Sequence, residues 1–130
     1  MQTVQQFAVV AIGGGIGSAF RYGVGRASIA IVGPNYPAGT LVVNLVGCLL
    51  MGMLTGWLAY RNVAMDQSVK LFLTTGILGG FTTFSAFALD AATLWERGAS
   101  ASAAIYILAS VIGSIAVLFL GFHLVRVAAA

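Results

Sequence analysis

Residues Ala38 to Tyr60 read AGTLVVNLVGCLLMGMLTGWLAY, a stretch without a single charged side chain. A bilayer core of about 30 Å is crossed by a helix of roughly 20 apolar residues. In hydrocarbon every backbone N–H and C=O must find its partner within the segment, which makes this stretch a helix rather than an isolated strand. Reading outward, three more apolar stretches predict helices, at about Val4–Ala30, Val69–Trp95 and Ala103–Val127. They are separated by segments of turn or polar composition. The first, Val32–Ala38, holds Gly33, Pro34, Asn35 and Pro37; the others are Arg61–Ser68 and Glu96–Ser102. The predicted fold is therefore an all-α integral membrane protein, with four transmembrane helices forming one domain over residues 1–130.

Composition excludes most alternatives. Hydrophobic residues make up 60% of the chain and charged ones 7%, whereas soluble domains carry about 25% charged residues. Six basic and three acidic side chains cannot cover a water-soluble surface at this length, and the mean hydropathy of +1.02 agrees. The basic residues are scattered, so nucleic acid is not an expected partner. Cys48 is the only cysteine, which rules out an internal disulfide. The N-terminal stretch lacks a basic n-region and reads as the first helix rather than a signal peptide. Metal-ligand spacing and a nucleophile–base pair are both missing, so no enzyme is expected. Gly13-Gly14-Gly15-Ile16-Gly17 lies within an apolar helix, which argues against a nucleotide loop. Gly13/Gly17, Gly52/Gly56 and Gly76/Gly80 are each four apart, the spacing that lets helices approach closely in lipid.

Basic residues in the connections normally fix the orientation of such a protein. Arg61, Lys70 and Arg126 fall on one side, and Arg26, Arg97 and the slightly deeper Arg21 on the other. Three against three gives no preference. The count fits a weak bias blurred at the helix ends; the favoured reading is a chain that inserts both ways and pairs as an antiparallel homodimer about a two-fold axis in the membrane plane. Such a pairing also supplies wall that four short helices lack.

Polar groups at membrane depth mark packing or function. Asn44 lies four residues after Thr40, on one helical face, and is either an interhelical bond or an amide donor to an anion. Thr74, Thr75, Thr82, Thr83 and Ser85 crowd the third helix, where bonding back to their own helix is the default. Tyr106, Ser110 and Ser114 recur every four residues on the last helix. The segment Gly79–Phe87, GGFTTFSAF, is a poor helix interior and predicts a break in the third helix at mid-membrane. Freed carbonyls there suit cations and freed N–H groups suit anions. Phe84 and Phe87, three apart beside these hydroxyls, could turn electropositive ring edges towards an anion path with little water. Asp90 stands towards the end of the third helix, and the first two helices carry no acid at depth.

Four stretches together resemble the Fluc (CrcB) fluoride channels: GGGIGSAFRY at Gly13–Tyr22, GTLVVNLVG at Gly39–Gly47, GILGGFTTFSAF at Gly76–Phe87, and Tyr106 with Ser110. They fall one per helix, in the family's order, and the third is highly specific. The resemblance implies an antiparallel, dual-topology homodimer with two pores in a bacterial inner membrane. It implies that Phe84 and Phe87 line the pores through their ring edges, that Asn44 donates to fluoride, and that Thr40, Thr83, Ser85, Tyr106 and Ser110 belong to the polar path. It further implies that carbonyls of Gly79 and Thr82 hold a structural sodium ion on the dimer axis, and that Arg21 sits near an aqueous vestibule. The chain departs from the family's usual residues in having Ala86 in place of Thr and Asp90 in place of Glu.

The function so implied is passive, fluoride-selective release from the cytoplasm, protecting against fluoride toxicity. One alternative is a proton-coupled exporter resembling the small multidrug-resistance transporters, which also have four helices and dual topology. The absence of an acid deep in the first helix argues against it. Another is a structural subunit with no pathway, which leaves the clustering of Asn44, hydroxyls and a broken helix unexplained.

Overall fold

The computed structural model describes residues 1–130 and is all-helical. Helix α1 (Gln2–Val32) and helix α2 (Ala38–Tyr60) are each uninterrupted. The third span comprises α3 (Gln67–Leu71), a π-type segment (Phe72–Leu78), the single turn α4 (Gly79–Phe81) and α5 (Phe84–Glu96). Helix α6 (Ser100–Ala129) closes the chain. The segments 2–32, 38–60, 67–96 and 100–129 are each long and apolar enough to cross a membrane. Three of them run one to three residues past the sequence-predicted ends, because local devices set the true limits. Gly33 (φ 94°) ends α1 and Gly98 (φ 79°) follows α5, both in a conformation that suits glycine. Asp66 caps α3, its Oδ1 accepting from the Ser68 N–H at 2.9 Å.

Helix α2 has its most extensive packing with α6, and α1 with residues 72–81 of the third span. Both contacts are backbone against backbone. In the first, a Cβ on Gly52 would overlap the Leu118 carbonyl oxygen, and one on Gly121 would lie 2.6 Å from the Leu49 carbonyl oxygen. The second is alike. A Cβ built on Gly13 would lie 2.7 Å from the Phe72 carbonyl oxygen, and one on Gly17 would overlap the Ile77 carbonyl oxygen. The paired glycines therefore let α1 lie directly on the irregular part of the third span.

Only 15 of the 130 residues are buried, while Phe7, Phe20, Leu89, Ile105 and Phe119 stand exposed. An aqueous surface of that kind would aggregate, so lipid or another chain must cover it. The one buried cluster, Phe87, Leu94, Ala103 and Tyr106, joins α5 to α6 and takes Tyr36 and Leu41 against its edge. It sits directly behind the candidate pathway and fixes the start of α5 against α6.

Candidate ion pathway

Regular helix stops at Phe81 and resumes at Phe84. Thr82 (ψ 158°) and Thr83 (φ −155°, ψ 127°) between them are extended. Two glycines of low helix propensity followed by two β-branched threonines favour this geometry. Thr83 then restarts the helix, its Oγ1 accepting from the Ala86 N–H at 3.2 Å. Of the hydroxyls expected to bond back to their own helix, Thr74 and Thr82 do so, onto the Lys70 and Leu78 carbonyls at 2.8 and 2.9 Å. The Thr83 hydroxyl oxygen serves as acceptor in this cap, which leaves its O–H to donate, and it lies 3.4 Å from Ser85 Oγ.

The interruption is held from outside. Asn44, on α2, donates through Nδ2 to the Thr83 carbonyl at 2.9 Å, and its Oδ1 accepts from the Thr83 N–H at 2.8 Å. This pair of bonds fixes which way the amide points. From α1, Arg21 Nε donates to the Gly80 carbonyl at 3.1 Å, with Ser18 Oγ 3.5 Å from the same oxygen. In a continuous α-helix the N–H groups of Thr83 and Ala86 would serve the carbonyls of Gly79 and Thr82. Here they serve Asn44 and the Thr83 hydroxyl instead, so neither carbonyl has its helical partner. Two carbonyl oxygens without N–H partners are the donor type that a hard monovalent cation takes from unwound helix. No group of His, Cys, Asp and Glu is placed to hold a transition metal.

Beside the interruption lies a groove of about 440 Å³. Asn44, Thr83, Phe84, Phe87 and Ser110 line it, with Gly79 and Thr82 at one edge. Cys48, Val111, Ser114 and Ile115 complete the wall, and none of the lining residues is charged. The Phe84 and Phe87 rings are 5.5 Å apart at 60°. Phe84 is 78% exposed, whereas Phe87 is only 9% exposed and packs on Tyr106 at 5.4 Å. Ser110 Oγ is buried without a hydrogen-bond partner, although it lines the groove. The Asn44 amide nitrogen has a second N–H beyond the one given to Thr83.

The remaining predicted residues lie elsewhere. Thr40 lines a second, polar cavity of about 210 Å³ together with Tyr36, Asp90, Thr93 and Arg97. Tyr106 is fully buried between the two cavities; its ring backs Phe87 and its hydroxyl donates to Asp90 Oδ2 at 3.0 Å. Ser85 is exposed beside Thr83. Arg21 is half-buried and anchored on the Gly80 carbonyl. Cys48 and Ser114 were missing from the predicted pathway. Both were within reach of the sequence, since Cys48 follows Asn44 by four residues and Ser114 extends the Tyr106–Ser110 stripe.

A family model described as "CrcB-like protein, Camphor Resistance (CrcB)" matches residues 8–122. The chain belongs to the CrcB family. Among its curated relatives is a protein of Mesorhizobium japonicum, 53% identical over 118 residues, which cover 91% of this chain and 94% of the relative. One from Agrobacterium fabrum is 55% identical over 119 residues (92% and 94%), and one from Methylobacterium nodulans is 56% identical over 108 residues (83% and 86%). Each of these CrcB relatives is named "Fluoride-specific ion channel FluC". Together with the four apolar spans, this makes the chain a multi-pass membrane protein.

Proposed function

We propose that this chain is a passive fluoride-selective channel that lets fluoride leave the cytoplasm through the bacterial inner membrane. Family membership and the names of the relatives support the ion and the mode. The observation that carries the reading for these particular residues is the groove. It brings an amide, four hydroxyl side chains and two aromatic rings together without a charged side chain. Fluoride is small and strongly hydrated, so a path must replace its water with hydrogen-bond donors. The spare Asn44 N–H and the hydroxyls of Thr83 and Ser110 are such donors. The ring edges of Phe84 and Phe87 add weaker electropositive contacts. Donors of this kind can coordinate the anion without trapping it, as conduction requires. The proton-coupled exporter is the weaker reading, because the groove has no carboxylate to share between a proton and a substrate. The chain acts as a pore and not as a catalyst.

The working unit in this reading is an antiparallel homodimer, with the interruption of the third span near mid-membrane. The outward stance of Phe84 supports it, since a ring 78% exposed lines a closed path only if a second surface covers it. The evenly divided basic residues support the antiparallel sense. A sodium ion held by carbonyls of Gly79 and Thr82 would supply fixed positive charge near the anion path. Arg21 adds charge at the approach, and Thr40, Tyr106 and Ser85 belong to the polar surroundings of the path.

Fluoride efflux from liposomes containing the purified protein tests the function, with chloride efflux beside it. Fast fluoride release with negligible chloride release is expected; equal release of both halides removes the selectivity. Several lysines added to the 61–66 connection should force one orientation and abolish efflux. Addition of an oppositely biased copy should restore it. A singly biased variant that still conducts fluoride contradicts the antiparallel dimer.

A further inference from the structure

We infer that Asn44 is a positioning residue for the cation site, and not only a donor to the anion. The inference rests on the sodium reading above and assigns a second role to the same amide. The Thr83 N–H is the hydrogen that would close the helix over the Gly79 carbonyl. Asn44 Oδ1 takes it at 2.8 Å, while Asn44 Nδ2 holds the Thr83 carbonyl at 2.9 Å. One side chain on α2 thus grips both polar groups of a single residue and keeps the third span open at that point. Without the amide, the cheapest partner for the part-buried Thr83 N–H is the Gly79 carbonyl. The helix would advance by one residue and use up a cation ligand. The opening also has to be kept narrow. Gly47, one turn after Asn44 on α2, packs on Thr82 so closely that a Cβ would overlap the Thr82 Cγ2 methyl. The anion path and the cation site are therefore coupled through one amide: Oδ1 keeps the cation ligand free, and the spare N–H faces the groove.

Two substitutions separate these roles. Asn44→Asp keeps an acceptor for the Thr83 N–H and puts negative charge in the anion path. Asn44→Leu keeps the size and removes both bonds. The full-length dimer is assayed for fluoride efflux and for the rise in thermal midpoint when sodium replaces N-methylglucamine. Both variants lose fluoride efflux. Asn44→Asp keeps the sodium-dependent rise of the parent protein, and Asn44→Leu loses it. A residue that merely lines the path would leave that rise intact in both.

The Gly79 carbonyl gives a second readout that needs neither sodium nor a variant. Its carbon resonance is resolved by labelling glycine carbonyls and glycine amides together, which reports only the Gly13–Gly14, Gly14–Gly15 and Gly79–Gly80 bonds. In sodium-free buffer it falls upfield of the two α1 glycines, as a carbonyl without a helical donor does, and moves downfield in Asn44→Leu. A Gly79 signal level with the α1 glycines in the parent protein overturns the inference, as does one unmoved in Asn44→Leu. If the parent protein shows no sodium-dependent rise, the sodium reading fails, and the carbonyl signal alone decides what Asn44 does.

Discussion

The second and third spans differ in where their backbone hydrogen bonds go. Helix α2 is one uninterrupted helix, so the hydrogen bonds it offers its neighbours come from side chains. The third span gives up its regular ladder between Phe81 and Phe84 and is repaired by other elements, Asn44 from α2 and Arg21 from α1. A complete helix is electrically quiet along its flank. An interrupted one presents carbonyls and N–H groups that its own ladder does not use. The lesson is that this small protein frees polar main-chain groups in one span, and uses its two regular neighbours to hold them in position.

Ring substitutions test that contrast most strongly. Phe87→Ile and Phe84→Ile should each lower fluoride flux more than about tenfold, equivalent to ~1.4 kcal/mol on the barrier, with the dimer still assembled. They should differ in stability. Phe87 belongs to the buried cluster and its loss lowers the thermal midpoint; Phe84 is exposed on the chain and its loss leaves the midpoint of the chain's own core unchanged. Full flux in both variants would remove the rings from the path.

Glycine substitutions come next, because they separate the supported region from the free one. Gly17→Ala drives a methyl into the Ile77 carbonyl, a backbone atom that cannot step aside, whereas nothing lies within 4 Å of a Cβ on Gly15. Overpacking of the first kind costs about 1–3 kcal/mol. The second change is neutral or stabilising by up to ~1 kcal/mol. Thermal unfolding in detergent reads both, and equal midpoints would mean that α1 does not rest on the third span as described. The smallest effect is that of Arg21→Ala, which frees the Gly80 carbonyl. It should cost about 1 kcal/mol, below the usual range for a hydrogen bond to a charged group because the side chain is half-exposed, with a modest fall in flux.

The four spans were legible because lipid imposes a crude rule, a long apolar run, which Ala38–Tyr60 satisfies without exception. The weak middle of the third span was also visible, since two glycines and two threonines are each locally unfavourable in a helix. The partners of the freed groups could not be read. Asn44 and Thr83 are 39 residues apart and Arg21 and Gly80 are 59 apart, and no periodicity connects them. Tyr106 and Ser110 read as one continuous stripe, yet the structure sends the Tyr106 hydroxyl to Asp90 and leaves Ser110 on the groove. One helical turn is enough to bury Tyr106 behind the Phe87 ring while Ser110 lines the groove. The exposure of Phe84 belongs to the same class, because it depends on how α5 packs on α6 and not on the residues beside it in the chain.

The reversal potential of the purified protein in a planar bilayer tests the central claim most directly. It is measured under separate fluoride, chloride and pH gradients. A passive fluoride pore predicts a reversal that follows the fluoride gradient and ignores the other two. A reversal that follows pH, or fluoride movement without any current, would contradict the account and return the chain to the exporters.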